Sequence, residues 1–140
     1  PYGGWLRQIP ADCDDQHVDW QGFEGEAKHY AFDPQRYMNW RFYWDYSGGN
    51  VYENMSHSLV FWYKVLNLQI PRAVTMVGGI HVWKDGREVP DTMNVAMEHG
   101  EQVLFTWDSG FCNNELGDND HVLGTDGTLV RSHHSAPLTQ

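Results

Sequence analysis

Glu53 and His57 stand four residues apart, just after the run Trp40-Arg41-Phe42-Tyr43-Trp44-Asp45-Tyr46-Ser47-Gly48-Gly49. Residues at i and i+4 share one face of an α-helix, so on a helix this carboxylate and imidazole point the same way. A carboxylate that fixes the tautomer of an imidazole leaves the second ring nitrogen to exchange a proton with a substrate. The plainer reading is a solvent-facing helical pair contributing about 0.3–0.5 kcal/mol. Arg41 offers a clamp for a substrate hydroxyl or carboxylate, or an ordinary i+4 partner for Asp45. Trp40, Tyr43 and Trp44 offer flat apolar faces to a sugar ring, or core packing.

These groups need elements to hold them. Asp33-Pro34 reads as a helix start with Pro at the first helical position, which predicts a short helix over 34–44 carrying Tyr37, Trp40, Arg41 and Trp44. Ser47-Gly48-Gly49-Asn50 ends it. A second helix is expected from Val51 to about Leu68, with Asn50 as N-cap and Glu53 three residues on, in the manner of a capping box. Val51, Met55, Leu59, Trp62 and Leu66 give it one apolar stripe, and Pro71 stops it. Beyond Pro71 the period changes to two, with strands expected over 73–83, 92–99, 102–109, 121–124 and 128–131. Asp85-Gly86 and Thr125-Asp126-Gly127 read as hairpin turns, and Gly78-Gly79 within a strand implies close backbone approach or a bulge. Helices first and an antiparallel meander after give an α+β domain, an open sheet with helices on one face. The expected organisation is an irregular lead-in over 1–16, one domain over 17–132 and a polar tail over 133–140.

Composition removes several functions. The 140 residues carry 9 basic and 19 acidic side chains, a net charge of −10. An acidic chain without a basic cluster repels phosphate backbones, so neither nucleic acid nor an anionic membrane surface is an expected partner. No apolar run approaches the roughly 20 residues of a spanning helix. The eight histidines do not fall into a zinc spacing, so no metal is expected. Cys13 and Cys112 lack metal spacing and form no disulfide framework; reduced thiols and a cytoplasmic location are the expectation, with export of a longer parent left open. There is no glycine fingerprint for a dinucleotide and no P-loop or nucleophile elbow. The chain starts Pro-Tyr-Gly-Gly without Met, which reads as a cut-out or a processed product.

One ordered set of residues carries a resemblance. It runs Asp19-Trp20-Gln21-Gly22-Phe23-Glu24-Gly25, Phe32-Asp33-Pro34, Trp40-Arg41, Trp44-Asp45-Tyr46-Ser47-Gly48-Gly49, His57 and Pro71. It continues through Gly78-Gly79, Pro90-Asp91-Thr92, Asn113-Asn114 and Gly124-Thr125-Asp126-Gly127-Thr128-Leu129. Over residues 17–131 the chain resembles the C-terminal domain of the Gfo/Idh/MocA oxidoreductases, the glucose–fructose oxidoreductase and inositol dehydrogenase family. The resemblance implies a parent enzyme with an N-terminal Rossmann domain, absent from this chain, that holds NAD(P) and supplies a lysine. The C-terminal domain would set a sugar or polyol against the nicotinamide. The family's acid–x–x–x–His motif lands on Glu53 and His57, with His57 taking the hydroxyl proton and Glu53 orienting it or bonding the neighbouring hydroxyl. Many members carry aspartate at the acid position; the extra methylene of Glu53 moves the carboxylate by about 1 Å, enough to matter for proton transfer.

The resulting expectation is the substrate-binding and assembly domain of an NAD(P)-dependent sugar, polyol or inositol oxidoreductase. The candidate catalytic residues are His57 and Glu53, and the candidate substrate-binding residues are Arg41, Trp40, Tyr43 and Trp44. No cofactor is expected on this chain alone, and it is not expected to turn over alone. The competing reading is a stand-alone carbohydrate-binding or dimerisation module. Val74, Met76, Ile80 and Val82 on one face of a strand, with Val77 and Trp83 on the other, imply a sheet apolar on both sides. Helices cover one side; a second copy or the Rossmann domain is expected on the other.

Overall fold

Asp33-Pro34 starts a helix as its chemistry requires. The Asp33 carboxylate accepts the amides of Gln35 at 2.8 Å and Arg36 at 3.4 Å, and Pro34 needs no partner for a missing N–H. The computed structural model describes residues 5–110 and 119–132; Cys112, Asn113-Asn114 and the tail 133–140 lie outside them. The element order is α1 (Trp20–Glu24), α2 (Pro34–Met38), a 3₁₀ turn (Trp40–Phe42), a π turn (Val51–Met55) running into α3 (Ser56–Leu66), then five strands. The helix expected over 34–44 is thus two short pieces. They break at Asn39, whose buried amide accepts from Arg7 N at 2.6 Å and donates to Arg7 O at 3.2 Å. That side-chain bracket ties the lead-in to the domain and competes with helix continuation.

Strands β1 (Ala73–Gly79), β2 (Thr92–Glu98) and β3 (Leu104–Gly110) form one antiparallel sheet in that order. Strands β4 (Asn119–Leu123) and β5 (Thr128–Ser132) form a separate ribbon, closed by Gly124 N to Gly127 O at 2.9 Å. The fold is α+β with open antiparallel sheets. Directly opposite residues share a face, so Met76, Val95 and Trp107 make one row and Val74, Met97 and Phe105 the next. Val51, Met55 and Leu59 of the helix press on Val95, Met97, Phe105 and Trp107. The expected apolar stripe is therefore the one that seats the helix, each fully buried member contributing about 1.5–3 kcal/mol. Asn67, in the left-handed region at φ 52°, ends α3 before Pro71. Gly78 bears out the close approach read from the sequence, since a Cβ there would lie 2.7 Å from Met93 Cβ.

The first strand is shorter than the alternation implied, ending at Gly79 rather than at 83, and the connection to β2 is no tight hairpin at Asp85-Gly86. The loop is organised instead by Asp91, which is fully buried. Its carboxylate accepts three consecutive amides, His81 at 3.0 Å, Val82 at 2.9 Å and Trp83 at 2.8 Å, and the Thr92 hydroxyl at 2.9 Å. Burial pushes this carboxyl up; the hydrogen bonds outweigh it and hold the pKa at about 2. Arg87, also buried, binds Asp85 through Nε at 2.8 Å and Nη2 at 2.5 Å, and lies over the rings of Phe42 and Trp83. Three amides turned inward are three ladder bonds the strand gives up, which is why alternation fails after Gly79.

The second apolar sheet face is not there. Opposite the helix, the rows read Thr75, Ala96, Thr106 and Val77, Asn94, Asp108, with Asn94 bonded to Asp108. Trp83 is in the loop, not in the strand. The uncovered apolar surface is on the helix side of β1, where Val74 and Met76 are 56% and 53% exposed. Among the described residues, no helix is long and apolar enough to cross a membrane.

Candidate functional site

Gly49 carries the chain through φ 66° into the helical turn, and a Cβ there would sit 3.2 Å from Val89 Cβ. Only glycine makes this bend at low cost. The cap is Ser47 rather than Asn50: Ser47 Oγ accepts Gly49 N at 3.0 Å and donates to Glu53 Oε1 at 3.2 Å. Asn50 is buried and serves elsewhere, its amide joined to Asn54 and Ser109, which fastens the start of the helix to β3.

Glu53 lies in the π turn. Such turns use i→i+5 hydrogen bonds and concentrate at functional sites. With i→i+5 spacing, residues four apart no longer sit directly above one another. Glu53 accordingly does not bond His57. Its Oε2 accepts Arg41 Nε at 3.2 Å while Ser47 holds Oε1. His57 lies in the first turn of the regular helix, is exposed, and its ring makes no hydrogen bond among the described residues. Arg41 pairs with Glu53, not with Asp45, because the 3₁₀ turn ends at Phe42 and the extended Tyr43 takes Asp45 out of helical phase with it. Asp45 goes to Arg36 Nη1 and to the hydroxyl of Tyr30.

The aromatics divide. Arg41 lies over Trp40 with its guanidinium carbon 4.2 Å from the ring centroid, and 5.7 Å from that of Trp5. Such stacking leaves the edge of the guanidinium free to donate. Trp44 is 52% exposed and its ring lies against Gly49, at the mouth of the helix. Tyr43 is buried beneath Arg36, 4.3 Å from its centroid, and burial pushes its phenol up. Trp40, Arg41, Glu53 and Trp44 thus gather about the helix start; His57 follows along the helix, and Tyr43 faces a different arginine.

Sequence reasoning missed Ser47, Asn39 and Trp5. Ser-Gly-Gly before an acid is a legible cap signal for Ser47. The bracket that sets Trp5 beside Arg41 depends on contacts between distant residues and leaves no local pattern.

Cys13 is a free thiol. Among the described residues, no three metal-ligating side chains converge. A shallow hollow of about 420 Å³ at the β4–β5 turn is lined by Val122, Gly124 to Thr128 and Leu129, and by none of the candidate residues. Nor do the described residues form a dinucleotide cradle: every strand pair is antiparallel, with no glycine loop leading from a parallel strand to a helix.

The family model described as the GFO/IDH/MocA C-terminal domain matches residues 21–130. No curated protein and no solved structure matches the chain.

Proposed function

Because the chain belongs to the GFO/IDH/MocA C-terminal domain family and is an oxidoreductase-associated domain, we propose that it is the half of an NAD(P)-dependent enzyme that holds a sugar, polyol or inositol. The observation that carries this reading is the division of labour on one helix. Glu53 is fixed from two sides by Arg41 and Ser47, whereas His57 further along is exposed and uncommitted. An imidazole that takes a proton from a substrate bound between two domains must be open on the surface of either domain alone. His57 is the proposed general base toward the substrate hydroxyl. Glu53 acts through its charge and through the position it gives Arg41, rather than by a hydrogen bond to His57. Trp40 and Trp44 border the ring of the substrate. NAD(P) would be held by the Rossmann domain of the proposed parent, where it would supply the hydride acceptor.

The test is His57→Ala in the full-length protein. Loss of a general base lowers kcat by about 10²–10⁴-fold. Wild-type kcat in that variant, on any sugar or polyol that the parent oxidises, rejects the assignment.

Assembly is the second part of the proposal. β1 is an edge strand, and exposed edges beside apolar side chains are places where chains meet. Val74 and Met76 are the proposed contact for a second copy of the chain. Sedimentation of the full-length protein as a monomer at micromolar concentration removes this part without touching the first.

A further inference from the structure

Arg41 is bound to the protein by one edge. Nε goes to Glu53 Oε2 at 3.2 Å, and the planar group lies over Trp40. Among the described residues neither Nη makes a hydrogen bond, and the side chain is 30% exposed. Two other arginines contrast with it: Arg36 uses both Nη atoms on Asp45 and Glu88, and Arg87 is buried in its local pair with Asp85. The end of Arg41 that carries two parallel N–H groups therefore points out beside Glu53, already aimed and already paid for in side-chain entropy by the tryptophan.

We infer that Arg41 binds a carboxylate of the substrate, so that the preferred ligand is a sugar acid, a uronate or aldonate, rather than a neutral sugar or polyol. This deepens the proposed function and rests on it. Two parallel N–H groups match the two oxygens of a carboxylate, whereas one hydroxyl uses a single donor. Glu53 takes only the Nε donor and Ser47 holds it there, so it does not compete for the free edge. A singly charged group suits this setting. The chain carries a net charge of −10 and brings one arginine to the site, which disfavours a doubly charged phosphate.

Calorimetric titration of the full-length protein with sugar pairs that differ only at C6, D-glucuronate against D-glucose and D-galacturonate against D-galactose, decides the matter. At least one acid is expected to bind at least tenfold tighter than its neutral partner. Arg41→Lys, which keeps the charge and a partner for Glu53 but loses the fork, is expected to bring that ratio below about threefold. Equal binding within both pairs, binding of neither pair, or a ratio that survives Arg41→Lys overturns the inference. Formation of reduced dinucleotide in parallel samples separates this result from the proposed function. An acid preference without hydride transfer rejects that function and keeps the carboxylate site; hydride transfer from neutral sugars alone does the reverse.

Discussion

Two regions of this domain are built from the same parts, an arginine, aspartate or glutamate, aromatic rings and backbone amides, and they use them differently. In the loop between β1 and β2, every charged atom of Asp91 and Arg87 that the fold buries has a partner inside the chain. At the start of the π turn, Glu53 is satisfied, but Arg41 keeps a free edge and His57 keeps its whole ring. The first arrangement fixes a shape. The second leaves donors and acceptors unspent at an exposed place, which is what binding a polar ligand requires. Charge alone does not tell structure from function here; the number of hydrogen bonds left over does.

Substitution in the loop breaks this comparison most sharply. Asp91→Ala leaves three part-buried amides without their acceptor and empties a fully buried site, so a loss of about 3 kcal/mol is expected in urea unfolding. A loss below about 1 kcal/mol would mean that the loop is not held by its carboxylate.

Acid gives the next largest effect. The Asp91 carboxyl is held at about 2, below its ordinary 3.8. A group whose folded pKa is depressed stabilises the fold above its unfolded pKa and loses that contribution as pH falls through the folded value. Stability on the order of 2 kcal/mol, complete by about pH 5, should fade between about pH 5 and pH 2. Asp91→Asn, which cannot titrate, should flatten that part of the pH profile of unfolding. An unchanged profile would assign the acid sensitivity elsewhere.

The smallest stability effect belongs to the site. Glu53→Gln removes a partly exposed ion pair but keeps a hydrogen-bonding side chain, and should cost about 1 kcal/mol or less. The same change should lower the kcat/KM of the full-length enzyme by tenfold or more, because Arg41 loses its anchor. A large stability loss with little effect on activity would move Glu53 into the structural class of Asp91.

What the sequence shows of this molecule follows the range of the interactions involved. Asp33-Pro34 is legible because a cap and its amides are two or three residues apart. The stripe Val51, Met55, Leu59 is legible because one helix face meets one sheet face. The π turn is not legible, since the same apolar spacing serves i→i+4 and i→i+5 bonding alike. Asp91, just before the strand expected from 92, shows no signal of its own, because its partners are amides, which every residue has. The end of the strand at Gly79 is illegible for the same reason: alternation of Ile80, Val82 and Trp83 persists where the backbone has turned to the carboxylate. Glu53, Arg41 and His57 can be picked out as residues with chemistry, but the pairing among them is set by the end of the 3₁₀ turn at the extended Tyr43 and by the π turn, neither of which has a local signal.

The π turn also has an evolutionary side. It holds one more residue than an α-helical turn of its length needs. Loss of a single residue between Val51 and Met55 would leave Ser56–Leu66 seated on the sheet and swing what precedes it by about 100° around the axis. A lineage carrying such a turn can re-aim the acid against the imidazole by one codon, keeping Leu59 and the rest of Ser56–Leu66 on the sheet and giving up the contact of Val51.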